Sequence, residues 1–276
     1  MGVGLAAMAG LIPSLTAYTY PIVWWGLLLI VDGWNQRRHS LTLARTGWTH
    51  FLSITVPVSV LFWLFFELLN LPSPQWRYRG GIASIVEQSL FGFVAFATVL
   101  PIMAESWWLI AGSYCLPPGF AAVFRRWRVP SIVLGLVFAA LPYFNHYFWL
   151  NQGMWLSPAL ILLPFARTDE CARPGRFITA LVVSALLAGF FWEMLNYGAQ
   201  THWEYLILRG APHLFQMPVP GYIGFIPFAL TSLVVYELQR RIPARPVTGI
   251  ALYAAALTIL YVLTGIYQQR GLWVLN

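Results

Sequence analysis

The chain has 276 residues, 59% of them hydrophobic and only 9% charged, against about a quarter charged in a soluble domain. That much apolar surface must face lipid, which excludes an ordinary soluble globule and predicts an all-α, polytopic transmembrane bundle. The net charge of +7 comes wholly from arginine; without lysine there is neither a retinal or pyridoxal Schiff base nor a P-loop.

In chain order, Met1–Ile12 lacks a basic start and a cleavage site, so no signal peptide is predicted. Long apolar runs then predict spans at 18–34, 48–70, 84–108, 129–149, 153–166, 177–198, 217–238 and 247–268. The fifth is short, and a tight turn at Asn151-Gln152-Gly153 divides it from the fourth. Arginine placement tests this division. The first, third, fifth and seventh connections hold three arginines each, twelve of the sixteen, and only Arg77, Arg79, Arg209 and Arg270 fall on the other side. Merging the fourth and fifth spans would split the arginines eight to eight. Cytoplasmic loops collect arginine, so about eight spans are expected, with both termini outside and a bacterial inner (plasma) membrane as the location. Arginines in short loops between spans read as topology signals, and no nucleic-acid partner is expected.

The chain also carries an internal repeat. Glu67-x-x-Asn70 recurs as Glu193-x-x-Asn196, and Trp76-x-Tyr78 as Trp203-x-Tyr205. Gly-Phe-x-x-Phe-Ala follows at 92–97 and again at 224–229, with Glu105 and Glu237 eight residues beyond the respective alanines. A period of four spans gives both halves the same orientation in the membrane, so two parallel four-span repeats are expected. The first half covers 1–128. Residues 129–276 hold the fourth span, the second half and the last span, all within one membrane domain. The Trp-x-Tyr elements fall in outer loops.

Glutamate inside a span costs a few kcal/mol unless it faces the bundle interior and finds a partner. Glu193 and Glu67 are therefore the candidate catalytic acids, each sharing a helix face with Asn196 or Asn70. Trp203, Tyr205, Trp76, Tyr78 and Trp192 complete the candidate substrate-binding set. The same residues read equally well as structural corners, each Glu bonding its Asn and the aromatics of the next loop. Glu237, beside Arg240 and Arg241, and Asp32, near Arg37 and Arg38, read as interfacial salt bridges; Glu105 is a secondary candidate. No metal or cofactor is expected. The five histidines show no i,i+3 or i,i+4 pair, and Cys115 and Cys171 have neither ligand nor disulfide spacing.

The stretch from Phe191-Trp192-Glu193 through Asn196, Trp203 and Tyr205 to Gly221–Ala229 resembles a family of uncharacterised bacterial polytopic membrane proteins. The first-span residues Trp24-Trp25-Gly26 and Asp32-Gly33-Trp34-Asn35 are similar too, so the likeness covers most of the chain. More distantly, the layout of short repeats, a Trp-x-aromatic loop and a proline-led span is similar to small membrane lycopene cyclases. Their Pro-Glu-Glu element is replaced here by Pro218-Val219-Pro220, which lacks an acid.

Three functions are compatible with these residues. One is a membrane enzyme or binding protein for an isoprenoid or another lipid, with Glu193 as acid, Glu67 as its partner and aromatic walls that hold a cation. Another is a transporter or channel with its path between the halves, and the last is a subunit of a membrane complex. The expected partners are the bilayer and an apolar small molecule or lipid.

Overall fold

The computed structural model describes residues 1–112, 118–166 and 174–275. Cys115, Cys171, Arg167 and Arg173 lie outside the described residues. Among the described residues, six helical stretches are long and apolar enough to cross a membrane: Pro13–His39, Trp48–Asn70, Ile85–Ala111, Arg176–Tyr197, Val219–Gln239 and Pro246–Gln269. The chain is a multi-pass α-helical membrane protein. Among the described residues, the α-helices of six residues or more are α1 (Gly2–Met8), α2 (Thr19–His39), α3 (Val56–Asn70), α4 (Ile85–Phe96), α5 (Val99–Ala111), α6 (Pro118–Arg126), α7 (Arg128–Phe144), α8 (Ser157–Leu162), α9 (Pro174–Tyr197), α10 (Phe225–Gln239) and α11 (Pro246–Gln269).

Helix ends follow local chemistry. Helix α2 stops at Ser40 in the left-handed conformation (φ 54°) behind Arg37, Arg38 and His39, cations suited to a C-terminal dipole. Helix α5 ends at Gly112 (φ 65°). The α4–α5 stretch breaks at Ala97-Thr98, just before Pro101, which has no N–H to donate. Ser59 of α3 stitches this break. Its hydroxyl donates to the Phe96 carbonyl at 2.7 Å and accepts from the Leu100 amide at 3.0 Å, which satisfies backbone groups that lipid could not.

The core lies where α2, α5, α9 and α10 meet, around the fully buried Trp24, Leu100, Met103 and Trp108. Helix α7 instead exposes Val129, Val133, Leu136 and Val137, as lipid contact requires.

The segment expected as a fifth span is not one helix. Gln152–Trp155 and Leu163–Phe165 are 3-10 turns flanking the six-residue α8. Pro158 and Pro164 each remove a backbone donor, and 14 residues (153–166) are too few for a regular span. The segment nevertheless runs back along α7. Ser131 donates to the Leu160 carbonyl at 2.6 Å, and Arg125 to that of Ala166 at 3.2 Å, level with the start of α7. Helix α6 meets α7 at 87°.

Gly135 lets α7 and α8 touch. A Cβ there would lie 2.8 Å from the Ser157 carbonyl and 2.7 Å from the Ile161 side chain. Gly135→Ala is expected to push the two segments apart and cost about 1–3 kcal/mol, read as a lower thermal midpoint in detergent.

The Trp-x-Tyr elements are strands rather than loops. The strands β1 (Trp76–Gly80), β2 (His202–Tyr205) and β5 (Trp273–Leu275) form a sheet in the order β2-β1-β5; β3 (His213–Leu214) and β4 (Met217–Pro218) form a second, two-stranded one. Aromatic and charged residues alternate in Trp-Arg-Tyr-Arg and His-Trp-Glu-Tyr. That period of two sends rings to one face and charges to the other.

The fourth helices of the two expected repeats are not equivalently placed. Helix α11 packs on α3 and α4, whereas α7 packs on α8 and touches α3, where the Tyr143 hydroxyl donates to the Leu68 carbonyl at 3.1 Å.

Candidate functional site

The site is built on two matching corners. At the end of α3, the Asn70 side-chain oxygen accepts from the amides of Gln75 (2.7 Å) and Trp76 (3.3 Å), while its nitrogen donates to the Trp76 carbonyl (2.9 Å). At the end of α9, Asn196 accepts from the Trp203 amide and donates to the Trp203 carbonyl, both at 2.9 Å. Each asparagine therefore docks the strand that follows it. Both are fully buried, where a lost amide partner would leave backbone groups unpaired.

One turn earlier on each helix stands the glutamate. Glu67 Oε1 accepts from Trp63 Nε1 at 2.6 Å, from Trp76 Nε1 at 3.3 Å and from the Tyr78 hydroxyl. Glu193 Oε1 accepts from the Tyr205 hydroxyl at 2.7 Å, and Trp203 Nε1 donates to that hydroxyl at 3.1 Å. Oε2 of each glutamate is buried without a partner. Among the described residues, no side chain hydrogen-bonds both carboxylates. Neither glutamate pairs with its asparagine.

The strands that leave the corners pair antiparallel. Trp76 lies opposite Tyr205, Tyr78 opposite Trp203, and Arg77 opposite Glu204. On the charged face, Arg77 and Arg79 bind Glu204 at 2.9 and 2.8 Å, with His202 at 3.8 Å. Partial burial works to raise the Glu204 carboxyl, but the Arg79 and Arg77 guanidiniums outweigh it and hold the group below its ordinary 4.5. A depressed carboxyl adds stability at pH values above its unfolded value, and this stability fades as pH falls through the lower folded one. Glu204→Gln is thus expected to cost about 1 kcal/mol at pH 7. The gap from the parent should narrow as pH falls below the ordinary 4.5 and close as it passes the lower folded value, in thermal midpoints taken across pH.

On the aromatic face, the ribbon roofs a chamber of about 640 Å3 including its open mouth. Its walls are Trp63, Trp76, Trp155, Trp192, Trp203 and Phe228, and its polar groups include Tyr205 and the amides of Gln75 and Gln152. Gln152 donates to Gln75 Oε1 at 3.1 Å and accepts from Trp155 Nε1 at 3.2 Å. Glu193 stands behind Tyr205, outside the lining. A second cavity shares Trp63, Trp192 and Trp203 and is bounded by Tyr20, Tyr78 and Phe96. Glu67 lines a third, beside Leu260, Thr264 and Tyr267 of α11.

The structure thus gathers Trp76, Trp192, Trp203 and Tyr205 at one chamber, while Tyr78 and Glu67 border other cavities. Asn70 and Asn196 fasten the roof. Sequence reasoning did not find Trp155, Gln75, Gln152 or Phe228; for Phe228, its place in the repeated Gly-Phe-x-x-Phe-Ala was a usable signal. Asp32 is a correction. Its carboxylate accepts from the Leu43 amide at 2.7 Å and the Thr42 hydroxyl at 3.2 Å, and it forms no ion pair among the described residues. It caps the turn after α2 instead of pairing with arginine. Glu237 does bind Arg241 (2.7 Å) and Arg240 (3.4 Å). Glu105 is fully buried and takes a hydrogen bond from Asn35 at 2.5 Å. Among the described residues, no three His, Cys, Asp or Glu side chains form a metal cluster.

No family model, no curated protein and no solved structure matches the chain.

Proposed function

We propose that the protein binds an isoprenoid or another lipid in the indole-walled chamber. The observation that carries this reading is the chamber itself, a concave, aromatic-lined space with only a few polar groups, the form that small-molecule sites take. Glu193 acts on the ligand through Tyr205, the hydroxyl that separates it from the chamber. Tyr205 donates its hydroxyl proton to Glu193 Oε1, so a ligand in the chamber meets the phenol, with the carboxylate one hydrogen bond behind it.

The same proposal has the chain cross a bacterial inner membrane eight times with both termini outside. Support comes from the arginine distribution and from the return of 153–166 along α7 to the level of Arg125. It also treats the two corners as products of one duplication. Trp76 corresponds to Trp203 and Tyr78 to Tyr205, yet the strands pair Trp76 with Tyr205 and Tyr78 with Trp203. A two-fold axis between Arg77 and Glu204 would produce this crossed pairing, and such an axis along the membrane normal relates parallel repeats.

The test is purification in a mild detergent followed by mass spectrometry of an organic extract. The expected result is one apolar species near stoichiometric amount, depleted at least tenfold in Glu193→Gln. Recovery of bulk membrane lipid alone from the parent protein would rule the reading out.

A further inference from the structure

The charges around the chamber narrow the chemistry of its occupant. Glu193 and Glu67 both lie within three-percent exposure, and neither meets an arginine or histidine among the described residues. Each keeps a buried oxygen with no donor. A buried carboxylate is costly until a cation or enough hydrogen bonds offset it. Glu67 has three donors on its other oxygen, whereas Glu193 has one, the tyrosine that faces the chamber.

The walls have the complementary property. Four indole N–H groups are taken up by protein acceptors: Trp63 and Trp76 by Glu67, Trp203 by Tyr205, and Trp155 by Gln152. These rings have spent their donors and present only carbon and π surface to the chamber, with Trp155 also stacked on Trp76 at 5.8 Å. Indole faces carry negative charge density and attract cations, quaternary ammonium groups above all, whereas a phosphate or carboxylate would find few donors here. No arginine, lysine or histidine is among the residues that line the chamber.

We propose that the chamber is a recognition site for an organic ammonium group, held by the faces of Trp63, Trp76, Trp155, Trp192 and Trp203 with Glu193 behind Tyr205 as its counter-charge. The proposal rests on the reading that the chamber holds a ligand, and it names the head of that ligand. The ammonium comes either from a lipid headgroup or from a free quaternary amine; both present the same alkylated, permanently charged nitrogen.

The test is titration of the purified full chain, read by tryptophan fluorescence and thermal midpoint. The probes are choline, its neutral isostere 3,3-dimethylbutan-1-ol, and short-chain phosphatidylcholine against short-chain phosphatidylglycerol in matched micelles. Saturable binding of choline at least tenfold tighter than the isostere, weakened at least tenfold in Glu193→Gln, is the expected result for a free amine. A preference for phosphatidylcholine over phosphatidylglycerol without choline binding supports the headgroup source. Trp155→Leu leaves both glutamate corners intact and is expected to weaken the same probes, which keeps the test decisive if Glu193→Gln does not fold. Equal binding of choline and the isostere would overturn the ammonium assignment while leaving a chamber that binds apolar ligands. Failure of every probe alongside a stoichiometric neutral lipid in the extract would do the same.

Discussion

Asn70→Ala is expected to be among the most destabilising substitutions outside the helix–helix core. The change deletes two acceptances, from the Gln75 and Trp76 amides, and two donations, to the Trp76 carbonyl and the Tyr267 hydroxyl. Those backbone groups are buried under the ribbon, where each unpaired group costs about 1–3 kcal/mol. A total loss of about 3–5 kcal/mol follows, since the groups relax partly and do not add in full. Asn70→Asp keeps the acceptor and loses the donor, so it should fall between the parent and the alanine variant. Asn196→Ala breaks the matching pair of bonds to Trp203 but no brace from α11, and it should cost less than Asn70→Ala. Denaturation in mixed detergent micelles gives these differences. If both alanine variants lay within about 1 kcal/mol of the parent, the asparagines would not be what fastens the strands.

Much of this architecture was legible in the residues. The expected span 48–70 coincides with the helical stretch Trp48–Asn70, and 177–198 and 247–268 differ from Arg176–Tyr197 and Pro246–Gln269 by one residue at each end. Apolar length is the dominant signal in lipid, because backbone groups there must be satisfied within the helix. The segment 153–166 was harder to read, since its proline spacing permits only short turns and its placement comes from packing on Gly135 and Ser131 of α7. The strands were missed for a different reason. Four or five residues of alternation in a loop is a weak signal, and sheet formation depends on pairing between Trp76–Gly80 and His202–Tyr205, over a hundred residues apart.

The candidate site divides in the same way. The repeated Glu-x-x-Asn and Trp-x-Tyr pointed to both corners, but the expected Glu–Asn bond does not form. On a helix, residues three apart share a face, yet here Asn70 reaches forward to the Trp76 backbone and Glu67 is held by indole and phenol donors. Sequence spacing gives the face and not the partner. Trp155 comes from a segment with no counterpart in either repeat motif, so only the folded chain brings it against Trp76 and Phe66, with ring centroids 5.8 and 4.9 Å apart. The corners also differ in a way the motif conceals. Tyr267 of α11 braces the first through Asn70 and the Glu67 carbonyl, whereas the second, without such a brace, is the one whose tyrosine opens on the chamber.

Trp63→Ala is the substitution expected to join stability and function most directly. Trp63 packs against Trp192 at 5.5 Å, Phe96 and Phe228 at 5.9 Å, and Trp76 at 6.0 Å, and its N–H holds Glu67. Truncation of a tryptophan in such a cluster costs about 3–5 kcal/mol, transfer and cavity terms together. Trp63→Phe keeps a ring in place and loses the one N–H that Glu67 and, more weakly, Tyr78 share, a change of about 1 kcal/mol, because Trp76 and Tyr78 still serve Glu67. Trp63 also stands between the chamber and the second cavity, which share it as a wall. Its removal should open one into the other and leave an apolar hole of indole shape, and holes of that kind take up apolar molecules. Added indole is therefore expected to raise the thermal midpoint of Trp63→Ala and to leave that of the parent unchanged. A variant that lost its stability but gained nothing from indole would mean that the cluster collapses into the space and that Trp63 is packing alone. If rescue is observed, the central wall of the chamber is a separable part of the fold, and ligand selectivity can be retuned there without disturbing the Asn70 and Asn196 corners that hold the roof.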